Sequence, residues 1–117
     1  MIFIEYPKCS TCQKAKKWLE SHGLTFEDRH IVEQNPTKEE LRAWVEQSGY
    51  PAKKFFNTSG MKYRELELSA KLPDMSLEEQ LELLSTDGML VKRPLLITQQ
   101  KIYVGFKEKE WEELLHE

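Results

Sequence analysis

Apolar residues run through Ile2-Phe3-Ile4 and give way at Glu5-Tyr6, a pattern that predicts a buried strand, with Pro7-Lys8 turning the chain out of it. Thr11 to His22 then reads as a helix that Gly23 caps at its C-terminal end. Phe26 to Val32 predicts a second strand, and Gln34-Asn35-Pro36 the turn that ends it. Thr37 and Glu40 form a capping-box signal ahead of an apolar stripe of Leu41, Trp44 and Val45, and Gly49 with Pro51 stops that helix. Lys53 to Phe56 begins a less regular stretch that turns at Asn57-Thr58-Ser59-Gly60. Ser76 and Glu79 repeat the capping-box signal before Leu81, Leu83 and Leu84. Leu95 to Thr98, the polar turn Gln99-Gln100-Lys101, and Ile102 to Gly105 read as a β-hairpin. Lys107 to Leu115 predicts a closing helix with Trp111, Leu114 and Leu115 facing inward.

Strand–helix–strand, a helical middle over about residues 36–87, then hairpin–helix is the element order of an α/β thioredoxin-like fold with a helical segment inserted between its halves. At 117 residues and 39% hydrophobic residues the chain suffices for one core, so a single domain over residues 1–117 is expected. The net charge of −3 and the interspersed Lys and Glu argue against direct nucleic-acid binding, which needs a concentrated basic face. No apolar run approaches the ~20 residues that span a bilayer, and the start lacks a signal-peptide pattern, so a cytoplasmic protein without a membrane partner is expected.

The two cysteines change the picture, because Cys9 and Cys12 stand together as Cys-Ser-Thr-Cys where the first strand passes into the first helix. At a helix entrance the unpaired backbone N–H groups favour a thiolate, and Lys8 adds a nearby cation. Cys9 is the expected nucleophile. Just under one helical turn separates it from Cys12, which can swing behind it and resolve a mixed disulfide or an oxidised sulfur. A zinc half-site begins the same way, but it needs two more ligands, and His22, His30 and His116 lack the paired spacing. Two buried structural thiols are the other alternative, and Cys12 fits that description better than Cys9. Reducing conditions in the cytoplasm suit a reversible pair better than a structural disulfide.

Arg93-Pro94 precedes the first hairpin strand, where thioredoxin-like folds place a proline facing the active cysteines. An X-Pro bond is the one peptide bond for which the cis isomer is cheap, and a cis Pro94 would bring backbone close to the Cys9 sulfur. Arg93 is then placed to stabilise a thiolate or to clamp an oxyanion through two parallel hydrogen bonds, where otherwise it would form an ordinary surface ion pair. Trp18, Trp44 and Trp111 each lie on a helical apolar face and read as core.

Four segments together, Tyr6-Pro7-Lys8-Cys9-Ser10-Thr11-Cys12, Phe55-Phe56-Asn57-Thr58-Ser59-Gly60, Tyr63-Arg64-Glu65-Leu66 and Lys92-Arg93-Pro94-Leu95, resemble the glutaredoxin-dependent arsenate reductase family, which includes the Spx-type transcription regulators. The resemblance implies a thioredoxin-like fold, an arsenate-attacking cysteine at Cys9 and an oxyanion-binding arginine at Arg93, with no metal or organic cofactor. It also implies a thiol reductant as partner, such as glutaredoxin with glutathione, or thioredoxin. Two departures stand out: Asn57 occupies the place of a second arginine, and Lys107 is the nearest basic residue to a third. Lysine supplies charge without the planar fork that orients an oxyanion. Arg64 lies close enough in sequence to substitute, unless it forms only a surface ion pair. Lys8, Asn57, Arg64 and Lys107 are thus the candidate substrate contacts. The second cysteine matches the Spx-like branch, which implies an alternative role, a Cys9–Cys12 redox switch on a regulator that docks on the RNA polymerase α subunit near Gly49-Tyr50.

Overall fold

The computed structural model describes residues 1–117 and places four short strands in one mixed sheet. The strands are β1 (Ile2–Glu5), β2 (Glu27–His30), β3 (Leu95–Ile97) and β4 (Ile102–Val104), in the spatial order β2-β1-β3-β4. β1 pairs in parallel with β2 through the crossover helix α1 (Ser10–Ser21), and antiparallel with β3, which turns directly into β4. The α/β thioredoxin-like arrangement expected from the element order is therefore present. Between β2 and β3 the chain forms α2 (Lys38–Ser48), α3 (Met61–Glu65), α4 (Leu68–Lys71) and α5 (Leu77–Thr86), joined by 3-10 turns at Ala52–Phe55, Leu72–Asp74 and Gly88–Leu90. The closing element is α6 (Glu108–Trp111), which tightens into a 3-10 turn over Glu112–His116.

Side chains on successive strand residues point to opposite faces, and the core divides accordingly. Ile4, Leu95, Ile102 and Val104 pack against Leu41, Trp44, Val45, Leu81 and Leu84 from α2 and α5. Phe3, Leu96 and Tyr103 face the other way, onto Ala15, Trp18 and Leu19 of α1 and onto Trp111 and Leu114 at the C-terminus. All three tryptophans are buried, as their helical positions predict. Leu115 is not: it is 46% exposed, because the 3-10 turn advances three residues per turn and keeps Leu114, not Leu115, in line with Trp111.

Both capping boxes form as predicted. Thr37 Oγ1 accepts from the N–H of Glu40 at 3.1 Å while the Glu40 carboxylate accepts from the N–H of Thr37 at 3.0 Å, and Ser76 and Glu79 repeat the exchange. Glu40 also receives both terminal nitrogens of Arg29 from β2, at 2.7 and 2.8 Å. This bidentate pair holds the carboxyl down at about 2 and fastens the start of α2 to the sheet edge. Gly49 caps α2 in the left-handed region at φ +74°. Gly88 meets a different constraint: a Cβ there would lie 1.9 Å from the Ile31 carbonyl oxygen, so only glycine lets the turn after α5 pass the end of β2.

Glu5, on the α1 face of β1, is 4% exposed. Lys16 reaches it at 3.7 Å and shares its ammonium with Asp28 of β2 at 2.7 Å. Burial, reinforced by Asp28 and opposed by Lys16, raises the Glu5 carboxyl from 4.5 to about 7. The folded state thus holds this proton more tightly than the unfolded chain, so its contribution to stability is present at low pH and is lost as pH rises through about 7. Glu5→Gln is neutral at every pH, so thermal melts should show it above the parent at pH 8 and level with it near pH 4.5. A variant that is less stable at pH 8 would mean that the Lys16 attraction outweighs burial.

Candidate functional site

Cys9 is the N-cap of α1, and no side chain supplies the capping hydrogen bond. The turn that delivers it is fixed by its own N–H, which donates to the Tyr6 carbonyl at 2.9 Å, and by Gln13 Nε2, which donates to the Pro7 carbonyl at 2.9 Å. Burial alone would push the half-buried Cys9 thiol upward. The backbone N–H of Cys12, the Cys12 thiol, the backbone N–H of Thr11 and the charge of Arg93 together outweigh burial and hold it below its ordinary value. The expected contribution of the helix entrance is thus carried by two named N–H groups.

Cys12 behaves oppositely. It is 0% exposed, and burial pushes its thiol up to about 12, with the neighbouring Cys9 sulfur raising it further. The Tyr6 N–H and the Arg93 charge act the other way and are too weak to offset this. The pair therefore consists of an accessible sulfur prone to ionise and a buried one that keeps its proton.

The Arg93–Pro94 peptide bond is cis. Pro94 is buried and its carbonyl accepts from the Gly105 N–H at 2.8 Å, which ties the loop before β3 to the end of β4. The Arg93 guanidinium lies 5.3 Å from the centre of the Tyr6 ring and faces the cysteines. An isolated antiparallel bridge between Phe56 and Val91 brings in the remaining residues. In it the Asn57 N–H donates to the Leu90 carbonyl at 2.8 Å and the Lys92 N–H to the Phe55 carbonyl at 2.7 Å.

These elements enclose a cavity of about 300 Å³ whose wall includes Cys9, Asn57, Lys92, Arg93 and Lys107. Cys9, Arg93, Asn57 and Lys107 from the sequence reading thus converge. Lys8 is exposed and does not line the cavity, so the cation beside Cys9 is Arg93. Arg64 does not replace the arginine missing at Asn57: it donates to the Ser59 carbonyl at 3.3 Å and lines a separate hollow with Tyr63 and Glu67. Lys92 and Ser59 also line the cavity; both stand in segments that carry the family resemblance, but neither was among the candidate contacts.

The chain matches the ArsC family over residues 4–114. It is 62% identical over 113 residues to the uncharacterized protein YusI of Bacillus subtilis, covering 97% of this chain and 96% of that protein. It is 30% identical to the global transcriptional regulator Spx of Enterococcus faecalis, covering 89% of this chain and 77% of the regulator. Among solved structures, an ArsC-family-related protein from Bacteroides fragilis superimposes with a TM-score of 0.94 at 59% identity, over 97% of this chain and 95% of that one.

The asymmetry between the two thiols is directly measurable. Alkylation by iodoacetamide, followed across pH by peptide mass, should modify Cys9 with a midpoint below the 9.0 of an unperturbed thiol and leave Cys12 unmodified in the folded protein. Arg93→Met should move the Cys9 midpoint upward. Modification of Cys12 before Cys9 would reverse the assignment.

Proposed function

The chain belongs to the ArsC family, and from that premise we propose that it is a thiol–disulfide oxidoreductase in which Cys9 is the nucleophile and Cys12 the resolving thiol. The observation that carries this reading is the placement of the two sulfurs: Cys9 caps α1 on the wall of the cavity that also holds Arg93, and Cys12, three residues on, is wholly buried, which keeps the first thiol low and pushes the second up. In a disulfide exchange the Cys9 thiolate attacks an external disulfide and releases one thiolate. The Cys12 sulfur then attacks Cys9, releases the second thiolate and leaves the Cys9–Cys12 disulfide. Two electrons pass from the protein dithiol to the external disulfide, and the two thiol protons end on the released thiolates.

Arsenate is the oxyanion substrate this reading favours, because Arg93, Lys92 and Lys107 surround the space above Cys9. The Cys9 thiolate displaces hydroxide from arsenic(V) to form a thiol–arsenate adduct. A second thiol, from Cys12 or from a reductant such as glutathione, glutaredoxin or thioredoxin, then attacks the Cys9 sulfur. The electron pair of the sulfur–arsenic bond passes to arsenic, and arsenite leaves as the disulfide forms. Arg93 orients the oxyanion through its planar fork, while Lys92 and Lys107 add charge. No metal or organic cofactor takes part.

The 30% identity to a global transcriptional regulator supports a second reading, a redox-switched regulator that docks on the RNA polymerase α subunit. Gly49 is exposed at the end of α2, whereas Tyr50 packs partly against the core beneath the Lys54 ammonium, 5.1 Å from its ring. Arsenite production with glutathione–glutaredoxin or thioredoxin, run beside a pull-down of the α subunit, separates the two. Cys9-dependent turnover selects the enzyme, and capture without turnover selects the regulator.

Two further outcomes are expected. Diamide should produce an intramolecular Cys9–Cys12 disulfide, seen as a loss of two hydrogens in the intact mass and reversed by dithiothreitol, whereas Cys12→Ser should give a sulfenic acid or an intermolecular adduct. Oxidation of the parent to dimers alone would remove Cys12 as the resolver. Arg93→Lys keeps the charge and loses the fork, so arsenate turnover should fall on the order of 10- to 100-fold while the Cys9 midpoint moves little.

A further inference from the structure

Tyr6 reaches Cys9, Cys12 and Arg93 at once. Its carbonyl accepts from the Cys9 N–H at 2.9 Å, and its own N–H faces the Cys12 sulfur. Its ring lies beneath the Arg93 guanidinium, with 5.3 Å from the guanidinium carbon to the ring centre, inside the ~6 Å reach of a cation–π contact. The ring is itself held. It packs against the larger half of the core, and the His30 ring stands perpendicular to it, with centres 5.9 Å apart and planes at 89°. His30 is fixed in turn at the end of β2, because its Nδ1 accepts the N–H groups of Val32 and Glu33 at 3.1 and 3.2 Å. Arg93 has little else to hold it: it joins no ion pair, and its Nη1 donates to the Met89 carbonyl over a long 3.4 Å. A carboxylate partner would fix the guanidinium but cancel the charge that favours a Cys9 thiolate. A neutral ring fixes it and leaves that charge in place.

We propose that Tyr6 is a positioning residue whose ring, braced by His30, aims the Arg93 guanidinium into the Cys9 cavity. The proposal rests on Arg93 as the partner of the Cys9 sulfur and adds the side chain that places it. Neither Tyr6 nor His30 lines the cavity, so both act through Arg93 and not on the reacting atoms. An unbraced arginine samples many rotamers, and ordering it when an anion arrives weakens binding; the ring removes that cost when the chain folds. The same residue therefore ties the backbone of the cysteine turn to the cation that serves it.

Alkylation of Cys9 by iodoacetamide across pH, in a double-mutant cycle with Arg93→Met, tests this. Tyr6→Leu keeps an apolar side chain and both backbone contacts, and should move the Cys9 midpoint upward by about half a pH unit, the scale of one screened charge interaction. Tyr6→Phe keeps the ring and should hold the parent midpoint. With Arg93→Met already present, Tyr6→Leu should add no shift, because no guanidinium is left to aim. Cys12 reports folding in each variant by staying unmodified. Should Tyr6→Leu expose it, His30→Asn takes its place in the cycle, since it retains an acceptor for the Val32 and Glu33 N–H groups and removes only the bracing ring. A midpoint that stays at the parent value, a Tyr6→Phe midpoint as high as that of Tyr6→Leu, or an equal shift with and without Arg93 overturns the role of Tyr6. An Arg93→Met midpoint equal to the parent's overturns instead the pairing of Arg93 with the Cys9 sulfur on which the proposal rests.

Discussion

Two backbone hydrogen bonds, from Asn57 N–H to the Leu90 carbonyl and from Lys92 N–H to the Phe55 carbonyl, join the inserted helical segment to the approach of β3. They place Asn57 and Lys92, two of the residues that line the Cys9 cavity, while the hairpin places Arg93 and Lys107. The strand–helix–strand unit alone would leave Cys9 at an open helix N-terminus. Once Phe56 pairs with Val91, both side chains sink into the core at 1% and 0% exposure, and the residues that follow each of them, Asn57 and Lys92, are left on the cavity wall. Burial of two large apolar side chains, worth roughly 1.5–3 kcal/mol each, is thereby coupled to the placement of an amide and an ammonium beside the Cys9 sulfur.

The same coupling explains what could be read from the sequence and what could not. Features set within a few residues were legible. The capping boxes at Thr37-Glu40 and Ser76-Glu79, the left-handed stop at Gly49 and the placement of Cys9 at a helix entrance each follow from local chemistry, and each is present. The convergence of Asn57, Lys92 and Lys107 was not derivable in that way, because it arises from pairing across 35 residues and from the end of the hairpin. Arg64 shows the converse. Sequence proximity to Asn57 suggested it as a substitute, but it lies within α3, and the helix turns its guanidinium back to Ser59. Glu5 reads as the polar end of an apolar strand. Only α1 and β2, packed on one face, bury it and supply Lys16 and Asp28 as neighbours.

Charge is distributed unevenly for a physical reason. Acidic side chains cluster at helix starts and on the outer faces of α2 and α5, where Glu40, Glu78 and Glu79 meet capping N–H groups or cations. Those contacts satisfy the helix termini and fasten α2 to β2 and to α5. The cations on the Cys9 cavity wall, Lys92, Arg93 and Lys107, remain free of ion pairs. A chain of net charge −3 thus keeps a positive field over one sulfur, which lowers the free energy of a thiolate and of any anion approaching it.

The proposed order in which the two sulfurs react follows from the electrostatics around them. Part of what keeps the Cys12 thiol protonated is its hydrogen bond to Cys9 and the charge that Cys9 carries, added to the larger effect of burial. When Cys9 enters a mixed disulfide its sulfur becomes neutral, and its charge no longer raises the Cys12 thiol. The Tyr6 N–H and the Arg93 charge, which favour a Cys12 thiolate, remain in place. Ionisation of Cys12 therefore becomes easier only after Cys9 has reacted. In the proposed exchange, a Cys12 governed in this way does not compete with Cys9 in the resting protein and ionises more readily once Cys9 has lost its charge.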